Sequence, residues 1–317
     1  MKISAKMRKP GALYTCVRSL ISNKLIVRQI MRVSVVVNLI ILTTIQVLLA
    51  TSTKGQDMRA EKVTVGLNHE DLVSGLQKIE QQTSLRFYYR RSDVQSLSDL
   101  NMKTDIRTVE ETLDELLENT NYEMVGVGRT DGKREGEFSA IYFDKTRFVK
   151  KDGGTFWLSD TPEKPSRGWD AAIVRICTWV RLYDKWNKKE FMVFNTHYDH
   201  VGVQARIESA KLIKKKIQEI APKLPVVLTG DLNVTPETEA VATIKTFLSD
   251  TKEISIEPAY GPDGTFNSFK WNAPLKDKID YIFVNKGFKV QKFGVLSDSK
   301  NRRYPSDHLP IMARLFF

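Results

Sequence analysis

Cysteine is almost missing from this 317-residue chain: Cys16 and Cys177 are the whole complement, and Cys16 falls in a basic amino-terminal leader. Beyond the leader a single thiol is left, so a disulfide-stapled scaffold is excluded and stability has to come from a packed core and any bound metal. Acidic residues are absent before Asp57, although Lys2, Lys6, Arg8, Lys9, Arg18, Lys24, Arg28, Arg32 and Lys54 all precede it. Nine of the net eleven positive charges therefore lie in the first 56 residues. The remainder of the chain is close to neutral, which argues against reading the basic pI as a nucleic-acid footprint and makes long nucleic acid an unfavoured partner. Histidine is scarce as well. His197 and His200 have the spacing of a metal pair, but no third His or Cys stands at a suitable distance, and zinc is not expected.

Long apolar runs are confined to one stretch, Val33 to Ala50, which follows the basic leader and precedes Thr51-Ser52-Thr53. A basic lead, an apolar core and small residues after it read as an export signal. The run is nearly long enough to span a bilayer, so an uncleaved membrane anchor is the alternative for residues 1–56. Either way the positive charge predicts that the rest of the chain lies outside the cytoplasm, in the periplasm or on the membrane face towards it, with membrane contact only through this segment.

Residues 62–121 read as a small βαβ unit built twice. Val63 to Leu67 predicts a strand, Asn68 with Asp71 a helix start, Leu72, Leu76 and Ile79 a buried helix face, and Leu85 to Tyr89 a second strand. The pattern then repeats. Leu100, Met102, Thr104 and Ile106 alternate, Thr108 and Glu111 form a capping box, and Val109, Leu113, Leu116 and Leu117 make an apolar stripe before Tyr122 to Val127. The wording LVSGLQKIEQQTSLRFYYRRSDV followed by TVEETLDELLENTNYEM resembles the secretin and TonB short amino-terminal domain. That resemblance implies a periplasmic protein partner for this unit.

The chemistry is concentrated later, in Asn195-Thr196-His197, Gly230-Asp231-Leu232-Asn233, Ile279-Asp280-Tyr281 and Ser306-Asp307-His308. Each string adjoins a short apolar run, so strand ends can aim the polar side chains into one cleft. Four strings in this order resemble the endonuclease/exonuclease/phosphatase superfamily over residues 122–317, with support from Gly126 to Gly132, Glu137 to Phe143, Thr155 to Ser159 and Gly168 to Ala171. A long helix from about Gln204 to Ile220, closed by Pro222, fits the same reading. The fold expected is α+β: the small βαβ repeat domain followed by an incomplete two-sheet αββα sandwich of the deoxyribonuclease I-like type.

The resemblance implies a hydrolase of phosphate esters, a phosphodiesterase or phosphomonoesterase, using Mg²⁺ or Mn²⁺ on a phosphorylated small molecule or nucleotide. It implies His197, Asp231, Asn233, Asp280 and His308 as catalytic residues and Asp231, Asn233 and Asp307 as the metal site, with Asn195 as a substrate contact; Arg175 reads equally as a fork for the substrate phosphate or as an ordinary surface or interstrand arginine. His308 would be the general base or a phosphate contact oriented by Asp280. The family's opening strand, carrying an Asn, and its next strand, ending in a metal-binding Glu, have no counterpart before Tyr122. That departure weakens the metal site and leaves a second expectation, an inert phosphoesterase remnant serving a periplasmic signalling or interaction module. Lys211, Lys214, Lys215 and Lys216 read as a solvated helix face, and most of Trp157, Trp169, Trp179 and Trp271 as core.

Overall fold

The computed structural model describes residues 61–317 apart from 84, 86, 88–93, 95, 96, 119 and 300. The basic leader and the apolar run to Ala50 lie outside the described residues. Among those described, no helix is long and apolar enough to cross a membrane.

Strands β1 (Lys62–Glu70) and β2 (Leu100–Thr108) pair antiparallel, and each is followed by a helix, α1 (Leu72–Gln82) and α2 (Val109–Glu118). Alternating Val63, Val65 and Leu67 are buried and β1 continues past them through Asn68, so α1 starts later than the Asn68 and Asp71 spacing predicts. Asp71 is itself the N-cap, accepting at 2.7 Å from the Ser74 amide. The capping box of α2 is made as expected: the Glu111 amide donates to Thr108 Oγ1 at 3.1 Å and the Thr108 amide to Glu111 Oε2 at 2.9 Å. Apolar faces of both helices close over the two strands, with Ile79, Val109 and Leu116 essentially unexposed. Of the strand expected at 85–89, positions 86, 88 and 89 lie outside the described residues.

The closing strand of the second repeat goes elsewhere. β3 (Tyr122–Val125) pairs antiparallel with β4 (Ile141–Asp144), because Val125, Ile141 and Phe143 find their apolar cover on Val180 and Leu182 of the carboxy-terminal part.

That part is organised by one six-stranded sheet in the order β5 (Phe148–Trp157), β6 (Ile176–Asp184), β7 (Lys189–His197), β8 (Val226–Asp231), β10 (Asp280–Val284), β9 (Ser249–Asp250). Its one parallel pair, β7 with β8, needs a crossover, and the helix α3 (Val203–Ile220) supplies it. Ile213 and Ile217 of α3 and Val241 and Ile244 of the short α4 (Glu239–Lys245) pack on Met192, Phe194, Leu228 and Phe283 on one face of the sheet. Lys211, Lys215 and Lys216 of α3 pair with Glu208 and Glu219, while Lys214 donates to Thr246 Oγ1.

Two separate two-stranded sheets cover the opposite face. The β3–β4 pair lies on Val180 and Leu182, while β11 (Lys289–Val295) and β12 (Ile311–Phe316) lie on Val227, Ile282 and Val284. Phe191 and Val193 of β7 pack under both. The second layer of the sandwich is thus in two pieces astride β7. β12 has β11 as its strand partner on one side and none among the described residues on the other, and its Met312 and Phe316 are exposed.

Candidate active site

Sheet register brings the polar side chains together. His197 ends β7 and is paired in register with Asp231, which ends β8; Asp231 is paired in register with Asp280, which begins β10. A rigid row of three therefore crosses three adjacent strands. Gly230 lets the row close up, since a Cβ there would lie 2.0 Å from the Thr196 carbonyl oxygen of the neighbouring strand. Just past β8 the chain turns through Asn233 in the left-handed region, φ 50°, a conformation Asn tolerates. Its amide nitrogen donates to Asp231 Oδ1 at 2.8 Å, and its side-chain Nδ2 lies 3.1 Å from both His197 Nε2 and the Tyr198 carbonyl.

His197 is held between two carboxylates, with Nδ1 2.8 Å from Glu137 Oε1 and Nε2 3.2 Å from Asp231 Oδ2. Burial disfavours a charged ring, yet the bonds to Asp231 and Glu137 outweigh it and raise the pKa of His197. The partners move the opposite way. Burial pushes Glu137 up, but His197, Arg129 and Arg175 bring it down to about 2, and Asp231 is lowered against its own burial chiefly by His197. Glu137 was not among the residues the sequence singled out. It lies outside the regular strands, four residues before β4, and its partner is sixty residues away.

A second His–carboxylate pair faces the first. His308 Nδ1 lies 2.8 Å from Asp280 Oδ2, and its Nε2 is 3.8 Å from Asp231 Oδ2, beyond hydrogen-bond reach. Burial lowers its basicity, but the bond from Asp280 and the charges of Asp280, Asp231 and Asp307 prevail, and its pKa is raised. Asp231, Asp280 and His308 each offer a ligand atom within 4.8 Å of the others, the geometry of a potential cation site. Asp307 is not in this group; its Oδ1 accepts from Ser306 Oγ at 3.3 Å. Two close carboxylates suit a hard divalent cation, which commonly takes one or two of them and completes its shell with water and substrate oxygens.

Arg175 is 5% exposed, close to Glu137 at 3.8 Å, Asp199 at 4.0 Å and His200 Nδ1 at 3.4 Å. Its Nε and Nη1 are buried without a hydrogen-bond partner. Burial lowers its pKa, which remains far above neutrality in an arginine. His200 turns to Arg175, so it forms no metal pair with His197. Asn195 has both ends of its amide engaged inside the protein, Nδ2 donating to the Ala140 carbonyl at 2.9 Å and Oδ1 accepting from Thr229 Oγ1 at 2.9 Å. Asp199, also missed in the sequence, is buried and takes the amides of Val201, Gly202 and Ile173, fixing the turn that leads into α3.

The sequence profile of the Endonuclease/Exonuclease/phosphatase family matches residues 93–308, a span that begins upstream of Tyr122. Among solved structures, a mannosyl-6-phosphatase of Bacteroides thetaiotaomicron VPI-5482 is 40% identical, with TM-score 0.62 over 66% of this chain and 82% of that one. An endonuclease/exonuclease/phosphatase of Bacteroides vulgatus is 38% identical, with TM-score 0.61 over 65% of this chain and 80% of that one. A protein of Acanthamoeba polyphaga mimivirus is 25% identical over 214 residues, 61% of this chain and 75% of that protein. The α+β architecture of the carboxy-terminal part is that of the deoxyribonuclease I-like fold.

Proposed function

The chain belongs to the Endonuclease/Exonuclease/phosphatase family of phosphoester hydrolases, and we propose that it is a divalent-cation-dependent phosphatase acting on the monoester of a small molecule. The observation that carries this reading is the buried guanidinium of Arg175, two of whose nitrogens make no hydrogen bond and only long ion pairs to Glu137 and Asp199, beside the in-register row of His197, Asp231 and Asp280. A phosphoryl group supplies the acceptors that this fork lacks. Likeness to the mannosyl-6-phosphatase supports a monoester, and so does the near-neutral charge beyond residue 56.

His308 has two mutually exclusive uses, since a ring protonated on both nitrogens cannot ligate a metal. The raised basicity given by Asp280 favours proton transfer, which leaves Asp231 and Asp280, with Asp307 adjoining, to hold the cation. When bound, the cation would supply positive charge to the phosphoryl oxygens. Arg175 would donate to the same oxygens, where negative charge grows in the transition state, beside a His197 ring already held by Glu137 and Asp231. Glu137 raises the basicity of His197. Asn233 steadies Asp231 from below, and His308 exchanges a proton with the attacking water or the leaving oxygen.

The test is turnover of p-nitrophenyl phosphate by the full chain with Mg²⁺ or Mn²⁺, its loss in EDTA, and its loss in Asp231→Asn and His308→Ala. Folded protein that neither turns over this ester nor binds Mg²⁺ by calorimetry overturns the reading. A second reading, an interaction module with an inert phosphoesterase part, is favoured by the outer edge of β12, which has no strand partner among the described residues. On either reading we place residues 62–121 as the secretin and TonB-like unit that meets a periplasmic partner, and residues 1–56 as the export signal or anchor. Support for the unit is its separate apolar core.

A further inference from the structure

The segment between β9 and β10 is tied to the site at several points and carries exposed aromatic side chains. The Asn267 and Ser268 amides both donate to the Asp307 carbonyl, at 2.7 and 3.1 Å, and Asn267 Nδ2 donates to the Ser306 carbonyl at 3.0 Å. Leu309 N donates to the Thr265 carbonyl at 2.6 Å, and Thr265 Oγ1 accepts from the Ile279 and Asp280 amides at 3.1 and 3.2 Å. Phe266 lies edge-on to the His308 ring at 5.1 Å. Thr265 and Asn267 are almost wholly buried. One short stretch thus braces both Asp280 and His308.

Immediately after this anchor, Ser268 and Phe269 are held in the left-handed region, φ 52° and 59°. Bulky residues rarely adopt it, and two in succession persist only where the surroundings impose them. The consequence is that Phe269 is 66% exposed and Trp271 45% exposed, and Trp271 is backed by Tyr304 at 5.3 Å with the rings inclined by 32°. Tyr304 stands three residues before Asp307. Two exposed aromatic rings therefore stand on a loop that is itself bonded to the Ser306–Asp307–His308 segment.

Building on the phosphatase reading, we propose that Phe269 and Trp271 form a stacking platform for the sugar ring of a hexose phosphate whose phosphoryl group meets Arg175. One face of a hexose is a patch of C–H groups that lies flat on an aromatic ring, while its hydroxyls stay in water. A platform backed on one side by Tyr304 and open on the other suits such a ring. The similar mannosyl-6-phosphatase agrees with a sugar in preference to a nucleobase.

The experiment compares binding of mannose 6-phosphate, adenosine 5′-monophosphate and inorganic phosphate by calorimetry, with Mg²⁺ present, to the full chain and to Phe269→Ala, Trp271→Ala and Trp271→Phe. The platform predicts that either alanine variant weakens mannose 6-phosphate about tenfold, the size expected of one lost aromatic contact. Inorganic phosphate should be unchanged, and Trp271→Phe should largely restore the sugar ester. Equal affinities in all four proteins overturn the platform and leave the phosphate site standing. Selective weakening of the nucleotide alone overturns the sugar assignment. If the unaltered chain binds none of the three, the phosphatase reading falls and the platform falls with it.

Discussion

Glu137→Gln removes one negative charge from the 2.8 Å contact with His197 and keeps the shape of the side chain. A hydrogen bond to a charged group contributes roughly 1.5–3 kcal/mol. Glu137 is 48% exposed, so water screens the pair and about 1 kcal/mol is a fair allowance. Loss of that contribution lowers the pKa of His197. The assay is an NMR titration of the ring Cε1–H signals in metal-free protein, made tractable by there being only four histidines. The pKa of His197 should fall on the Glu137→Gln change. Stability provides a second reading of the same physics. The raised pKa of His197 contributes stability that is complete below about 6.5 and is lost as pH rises through the folded value. The lowered pKa of Glu137 contributes stability that is complete above about 4.5 and is lost as pH falls towards about 2. The gap between wild type and variant should therefore be widest between about pH 4.5 and 6.5. An unmoved His197 titration, or a gap that widens above pH 8, would refute the reasoning.

Three further outcomes concern other residues. Asp184 is buried and accepts from Arg147 Nη2, Asn187 Nδ2 and the Trp186 amide at 2.7, 2.7 and 2.9 Å, so Asp184→Asn should cost about 2 kcal/mol in urea unfolding at neutral pH. Because these bonds hold its pKa well below the usual carboxylate range against burial, that cost should be full above about pH 4 and vanish in strong acid. Lys278 and Asp250 form a buried ion pair, and Lys278→Ala strands the carboxylate, with an expected loss of about 3–5 kcal/mol, whereas Lys278→Met with Asp250→Asn together should lose less. Fractionation of cells expressing the full chain should find residues 57–317 in the periplasm or on the membrane face towards it, and recovery from the cytosol alone would defeat the export proposal.

The parts of the fold most legible in the sequence were those with a local cause. The α2 capping box is written in Thr108 and Glu111, and α3 in the spacing of Ile213 and Ile217. The α1 start was misplaced because Asn68 and Asp71 are equally good caps by type, and only the strand running through Asn68 decides between them. For the candidate site, strand ends identified His197, Asp231, Asp280 and His308 as neighbours, yet their order across the sheet depends on the parallel β7 and β8 pairing, a contact between positions far apart in the chain. Glu137 and Asp199 escaped notice for the same reason. Each is an ordinary acid in its own segment and acquires meaning only from a distant partner: His197 stands sixty residues from Glu137.

The two halves of the candidate site rest on different foundations, and this decides what the divided second layer can affect. His197, Asp231 and Asp280 sit on three contiguous strands of the complete six-stranded sheet, and Arg175 lies just before β6 of the same sheet. His308 and Asp307 belong to the segment entering β12, whose outer edge has no strand partner among the described residues. Looseness at that edge therefore reaches the chemistry through His308 and leaves the anion-binding half in place. Grafting the opening segment of a related family member onto the chain should raise kcat for p-nitrophenyl phosphate while the Kd for inorganic phosphate stays within about twofold, since an interaction made only at the reacting step changes kcat alone. His308→Ala should abolish the gain, and Arg175→Met should weaken phosphate equally in the chimera and the unaltered chain. A chimera whose phosphate affinity rises by tenfold or more with kcat unmoved would show that the open edge disturbs the Arg175 half instead, and the division drawn from the sheet would be wrong.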